Sequence, residues 1–235
     1  MAMLKGEVKR ICEFTEEQLS AMYRIMAEFY DDTKEEVFRR DFADKDYCLV
    51  LRNDEGRIVG FTTQKVMDVE VGDRTVKGVF SGDTIIHKDY WGDTELFKVW
   101  ANFWFDYADR LEEDLYWFLI CKGYKTYRML PVFWSEFYPN YRTETPDDVK
   151  RIIDAYGAQL YPEEYNPATG VVEYKTVKDK LKGGVADIGE RELRNKDIAF
   201  FCEKNPGYRE GNDIACLAKI DRKILKKGVG ELLFS

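Results

Sequence analysis

The sequence predicts an α/β protein with a mixed, mostly antiparallel central sheet, flanking helices and a C-terminal elaboration. Three observations carry that expectation. Residues 47–87 read as three strands in an antiparallel meander, the last two long. Phe97, Trp100, Ala101, Trp104, Phe105 and Ala108 then recur at helical spacing. Leu115–Cys121 follows as an unbroken apolar run, the mark of a strand buried on both faces. A strand, a crossover helix and a second strand place the two strands parallel.

Taken in order, residues 8–14 alternate weakly and read as a first strand. Thr15, with Glu17 and Gln18 near the third helical position, opens a helix over about 16–31. Its buried face is Leu19, Met22, Tyr23, Met26, Phe29 and Tyr30. A shorter helix over 33–42 carries Val37, Phe38 and Phe42. The strands 47–51 and 58–66 flank Asn53-Asp54-Glu55-Gly56, a hairpin signal, and Gly72-Asp73 turns the chain again before 75–87. The helix over 93–111 is capped by Asp93 or Thr94. Residues 125–138 read as helical, with Pro131 in a first turn or at a kink. Beyond them come a helix over 145–161 opened by Pro146, a short strand at 171–174 and a weakly patterned charged stretch at 176–197. A helix at 198–203, a turn at Asn205-Pro206-Gly207 and an apolar strand at 214–220 complete the chain. The organisation expected is a core of residues 1–142 with an extension, 143–235, packed on it as one domain.

Composition narrows the function classes. The 235 residues carry a net charge of −8 without a long basic run, which disfavours nucleic acid. The basic cluster at 222–227 is read as a solvated helix or turn. Five cysteines occur without a C-x-x-C pair, and His87 is the single histidine, so neither a disulfide framework nor a multi-histidine metal site is expected. There is no apolar leader and no run of 18 apolar residues. The expectation is a cytoplasmic protein with no metal and no membrane span.

Several side chains stand out chemically. Asp83 follows Ser81-Gly82 in an otherwise apolar strand, and a carboxylate there needs a partner or a role. His87 lies four residues on; in a regular strand the two are about 13 Å apart, so each acts alone as a base rather than as a dyad. Cys121 ends the buried strand and reads as structural. Trp117, Phe133, Trp134 and Phe137 are candidates to line an apolar pocket, in which case the small molecule bound there is bulky and apolar or aromatic.

The order of strand, two helices, three antiparallel strands, helix, strand and helix over residues 8–141 resembles the GNAT superfamily of acyltransferases. Locally, Thr84-Ile85-Ile86-His87-Lys88-Asp89-Tyr90-Trp91-Gly92 looks like the end of that family's fourth strand and the start of its pyrophosphate loop. Glu136-Phe137-Tyr138-Pro139-Asn140-Tyr141 looks like its later segment, where a tyrosine sits near the acyl carbon. The resemblance implies a bulged strand at Ile85 and Ile86 whose backbone pairs with pantetheine. It also implies a turn at Trp91 and Gly92 aimed at a pyrophosphate, and Tyr138 as general acid for the departing thiolate. Lys122, Lys125 and Arg128 would then receive a phosphate at the edge of the site. The donor implied is an acyl-CoA or an acyl-phosphopantetheine, and the acceptor an amine or hydroxyl attacked with Asp83 or His87 as base. The turn departs from the family's glycine-rich Arg/Gln-x-x-Gly-x-Gly/Ala: Trp91 stands at the usual Arg/Gln position, and Asp93 and Glu95 bring two carboxylates. That departure raises a second expectation, an inactive GNAT-like protein that binds a ligand or partner.

Overall fold

The computed structural model describes residues 4–175 and 180–234. The first half runs β1 (Lys5–Arg10), α1 (Glu16–Phe29), the short β2 (Tyr30–Asp31), α2 (Glu35–Ala43), then the meander β3 (Tyr47–Arg52), β4 (Ile58–Val71) and β5 (Arg74–Ile86). Next come α3 (Glu95–Ala108), β6 (Leu115–Cys121), α4 (Tyr124–Tyr127) and α5 (Met129–Phe133). The remainder supplies α6 (Asp147–Leu160), β7 (Tyr165–Asn166), β8 (Val171–Val172), β9 (Lys180–Leu181), α7 (Glu190–Leu193), α8 (Lys196–Lys204), β10 (Asp213–Lys219) and α9 (Val229–Leu233). Of the weakly patterned stretch 176–197, residues 176–179 lie outside the described residues.

Local chemistry accounts for the early elements. The Thr15 hydroxyl accepts from the Gln18 amide at 3.3 Å while the Gln18 side chain accepts from the Thr15 amide at 3.1 Å, a reciprocal cap that starts α1. Asn53 takes the amides of Glu55 and Arg57 on its side-chain oxygen, closing the β3–β4 turn. Gly72, at φ +63°, supplies the left-handed conformation that the two-residue β4–β5 turn demands.

Eight strands form one sheet in the order β1-β3-β4-β5-β6-β10-β8-β7, antiparallel throughout except for the parallel β5–β6 pair. Helix α3 covers one face, packing Phe97, Trp100, Trp104 and Phe105 against Leu49, Val79 and Trp117. The other face carries α1 and α2 over one half, through Met22, Met26, Phe38 and Phe42, and α6 over the other, through Ile152, Ile153 and Tyr156. Strand β6 is buried on both faces, which is why its sequence does not alternate.

Two features differ from expectation. The helix expected over 125–138 is two short helices ending at Phe133, with Pro131 in the first turn of α5, where its missing N–H costs no bond. Beyond it the chain makes two isolated bridges, Trp134 with Leu225 and Tyr138 with Leu217 of β10, the latter pair exchanging backbone hydrogen bonds at 2.8 and 2.7 Å. The second concerns β10, which lies within the sheet beside β6, so core and extension share one hydrogen-bonded ladder.

Candidate functional site

The site begins with a slip in strand register. Thr62 faces Thr84 and Gln64 faces Ser81, so Gly82 and Asp83 together oppose Thr63 alone. This is a β-bulge, and it bends β5. Gly82 lets the strands lie close there, since a Cβ at this position would stand 2.6 Å from the Thr63 hydroxyl. The parallel pairing of β5 with β6 stops at Ser81 and Leu119. Beyond it β5 continues against β4 to Ile86 while β6 continues against β10 to Cys121, and a wedge opens between them. A bulged strand splaying from a parallel neighbour, after a meander and one crossover helix, is a specific arrangement. The arrangement is that of a GNAT-like fold.

On the α3 side the wedge opens into a cavity of about 520 Å³, walled by Leu96, Phe97, Trp100, Trp117, Leu119 and Phe133. Its floor is polar and joined by a chain of hydrogen bonds. The Trp117 indole donates to the Ser81 hydroxyl at 2.8 Å, and Ser81 donates to the Gln64 side-chain oxygen at 2.8 Å. The Trp100 indole donates to the same oxygen at 3.0 Å, which fixes the amide orientation, since an indole N–H only donates. The Gln64 amide nitrogen then donates to Thr62 at 2.9 Å, and Thr62 lies 2.7 Å from Thr84.

At the mouth of this cavity stand Trp91, Gly92, Asp93 and Lys125. Gly92 has φ +92° and open space around it, as a phosphate-approaching turn requires. The rest of the turn is occupied by its own side chains. The Trp91 indole donates to the Ile86 carbonyl at 2.8 Å, and the Lys125 ammonium lies over the Trp91 ring, 3.8 Å from its centroid. Asp93 accepts the Glu95 amide at 2.7 Å, taking one of the free N–H groups at the start of α3. Partial burial lowers the Lys125 pKa, opposed by the charge of Asp187.

On the opposite face lies a smaller cavity of about 120 Å³, lined among others by Lys45, Asp83, Lys122, Tyr161, Tyr174 and Asp213. The two cavities share Thr84 and Thr126. Lys122 donates to Asp213 at 2.9 Å and to the Gly211 carbonyl at 2.6 Å, and Tyr174 donates to the same Asp213 oxygen at 2.8 Å. Lys45 donates to the Asp41 carbonyl at 2.6 Å; burial lowers its pKa, opposed by the charge of Asp83.

These positions sort the residues singled out in the sequence. Asp83 lines the smaller cavity, and Ile86, Trp91, Gly92 and Lys125 line the larger. Ile85 points the other way, into the α1–α2 layer, and the Ile86 carbonyl is held by Trp91. Lys122, Lys125 and Arg128 are not one cluster: Lys122 is paired with Asp213 on the far face, and Arg128 lines neither cavity. His87 also lies outside both. Its Nε2 is 3.4 Å from Glu28 and its Nδ1 accepts the Asp89 amide at 3.3 Å. Tyr138 is not brought to the wedge, because its pairing with Leu217 ties it to the closed part of the sheet; its hydroxyl lies 3.5 Å from Glu136. Of the expected pocket aromatics, Trp117 and Phe133 line the larger cavity, while Trp134 is buried and donates its indole N–H to the Lys219 carbonyl. Cys121 is buried with its sulfur 4.0 Å from that of Cys216, and burial raises its thiol pKa.

The cavities also hold residues that the sequence does not single out, Lys45, Thr62, Tyr161, Tyr174 and Asp213, with Gln64 behind them. The one local signal was polar residues, Thr62-Thr63-Gln64 and Ser81, inside apolar strands. Among the described residues no group of three His, Cys, Asp or Glu is placed to hold a metal ion, and no helix is long and apolar enough to cross a membrane.

Comparison with solved structures gives distant similarities. A probable N-acyltransferase from Enterococcus faecalis V583 aligns at 13% identity over 57% of this chain, with a TM-score of 0.43. This chain spans only 33% of that protein's length. The N-acetyltransferase YhbS of Escherichia coli, solved with CoA, aligns at 13% identity over 56% of this chain and 68% of its own, TM-score 0.38. Glucosamine-6-phosphate N-acetyltransferase from Arabidopsis thaliana aligns at 13% identity over 50% and 82%, TM-score 0.37. No protein-family model and no curated protein matches the sequence.

Proposed function

We propose that this chain is an acyltransferase that moves an acyl group from a thioester in the aromatic cavity to an amine or hydroxyl in the smaller polar one. The observation that carries the reading is the meeting of two cavities, from opposite faces of the sheet, at Thr84 and Thr126. The acceptor's lone pair attacks the thioester carbonyl across the wedge. The new bond to the acyl carbon forms, the carbon–sulfur bond breaks, and the acceptor's proton passes to Asp83 or to solvent while the thiolate takes a proton. Direct attack of this kind needs proximity and orientation rather than an acyl-enzyme.

The apolar walls suit a pantetheine arm and acyl chain, which places the bulky apolar partner on the donor side. The second cavity, small and lined by Asp83 and Asp213, suits a small polar acceptor. For the donor's head group the mouth is selective. Asp93 and Glu95 repel a diphosphate by roughly 1 kcal/mol each or more at short range. Lys125 supplies one cation, which favours a single phosphate, as on acyl-phosphopantetheine, over the diphosphate of acyl-CoA.

The test is a mass-spectrometric transfer screen with amine and hydroxyl acceptors, run with acetyl-CoA and with S-acetyl-phosphopantetheine, alongside thermal shift. Stabilisation by either donor, stronger for the second, together with acyl gain on an acceptor, supports the reading. Absence of binding and turnover for every thioester sinks it. The occupied turn favours one other reading, a GNAT-shaped binding protein without catalysis; stabilisation by non-thioester ligands alone would point there.

A further inference from the structure

We propose that Thr84 is the side-chain hydrogen-bond donor to the thioester carbonyl, oriented by a buried chain that starts at the indoles of Trp100 and Trp117. The inference rests on the acyl-transfer reading and supplies a donor at the wedge that Tyr138 does not.

The direction of the chain follows from which groups only donate. Two indole N–H groups feed it, one to Ser81 and one to Gln64. Ser81, having accepted from Trp117, gives its proton to the Gln64 oxygen, and the Gln64 nitrogen donates to Thr62. Thr62 has one proton to give, and among the described residues its hydroxyl's other contact is Thr84, at 2.7 Å. Thr84 therefore accepts from Thr62. Among the described residues its own proton has only the Gly82 carbonyl, at a long 3.4 Å. Gln64, Ser81 and Thr62 are all nearly solvent-free, so this order is not scrambled by water. The chain ends in one loosely held hydroxyl proton on a residue that lines both cavities.

When the acceptor attacks, the acyl carbonyl oxygen gains negative charge in the wedge. A hydroxyl already turned toward it stabilises that charge without reorganising, and Thr84 keeps its proton throughout. Thr62, Gln64 and Ser81 act as positioning residues behind it.

The experiment uses the full chain with isotope-labelled S-acetyl-pantetheine, which avoids the mouth's selectivity for phosphate. Infrared difference spectra report the carbonyl stretch, and transfer assays report kcat and KM. In Thr84→Val the band moves to higher frequency than in the wild type, kcat falls by roughly 100-fold and donor KM stays within about threefold, the scale of losing one oxyanion donor. Thr84→Ser restores band and rate, and its recovery excludes misfolding as the cause. Thr62→Val, which cuts the chain but leaves Thr84, gives an intermediate band. A wild-type band and rate in Thr84→Val overturn the proposal, as does finding the effect in Thr126→Val instead. Failure of the wild type to bind any thioester overturns the acyl-transfer reading itself, a separate result.

Discussion

Replacing Asp213 with leucine strands a positive charge inside the protein. Lys122 stands 2.9 Å from the Asp213 carboxylate, the carboxylate is 2% exposed, and the ammonium's side chain only 15%. At that separation the attraction is about 6 kcal/mol for an effective dielectric near 20. Much of this offsets the cost of desolvating both ions, so the pair adds little over an apolar pair, yet losing one member costs about 3–5 kcal/mol. The Gly211 carbonyl still accepts from Lys122 in the variant, while Tyr174 loses its bond to Asp213. For a chain of 235 residues the unfolding entropy is about 0.5 kcal/mol/K, so Asp213→Leu should lower Tm by roughly 6–10 °C. The double variant Lys122→Met/Asp213→Leu removes both charges and should recover to within about 1–2 kcal/mol of the wild type. Denaturant unfolding of the wild type, both single variants and the double variant measures the coupling. A cost below about 1 kcal/mol for Asp213→Leu, or a double variant no better than the sum of the singles, would refute the reasoning.

Three further outcomes follow from the geometry. Asp93→Gly removes a carboxylate and frees the Glu95 amide, and CoA affinity by calorimetry should tighten by about fivefold, the equivalent of roughly 1 kcal/mol; unchanged affinity would show that Asp93 does not guard the mouth. Gly82→Val forces a side chain against Thr63 and Lys45, and should cost about 1–3 kcal/mol through overpacking, read from the urea midpoint. Burial raises the phenols of Tyr127, Tyr156, Tyr161, Tyr165 and Tyr174 above their ordinary value, so above it the folded chain holds protons that the unfolded chain releases. Stability is therefore intact below about pH 10 and falls as pH rises past it, by up to about 1.4 kcal/mol per unit for each tyrosine. Urea midpoints that stay flat from neutral pH to well above the tyrosine range would contradict that burial.

The parts of the fold legible in the sequence are those whose cause is local. Alternation and turn residues mark β3, β4 and β5, the 3.6-residue stripe marks α3, and the continuous apolar run marks β6. Asp83 stands out in the sequence for the same reason, as a charge in an apolar strand, and it lines the smaller cavity. Lys122, Lys125 and Arg128 are close in sequence after β6, yet Gly123 separates a strand end from a helix start and Lys122 faces the opposite side of the sheet, beside Asp213. Tyr138 was singled out by the resemblance alone, and nothing in its aromatic-rich stretch reveals a segment bridged by backbone bonds to β10. Asp213 left no trace at all, since its partner Lys122 is 91 residues away.

That distance also bears on how the chain is made. Strand β6 offers a row of unpaired backbone groups and two greasy faces until β10 arrives to pair with it. On the ribosome β10 is still unmade for the time it takes to add some 90 residues, about 5–20 s at ordinary synthesis rates. Through that interval Leu115–Cys121 is the stretch most able to stick to a neighbouring nascent chain, and a truncation that ends before β10 leaves it in that condition permanently.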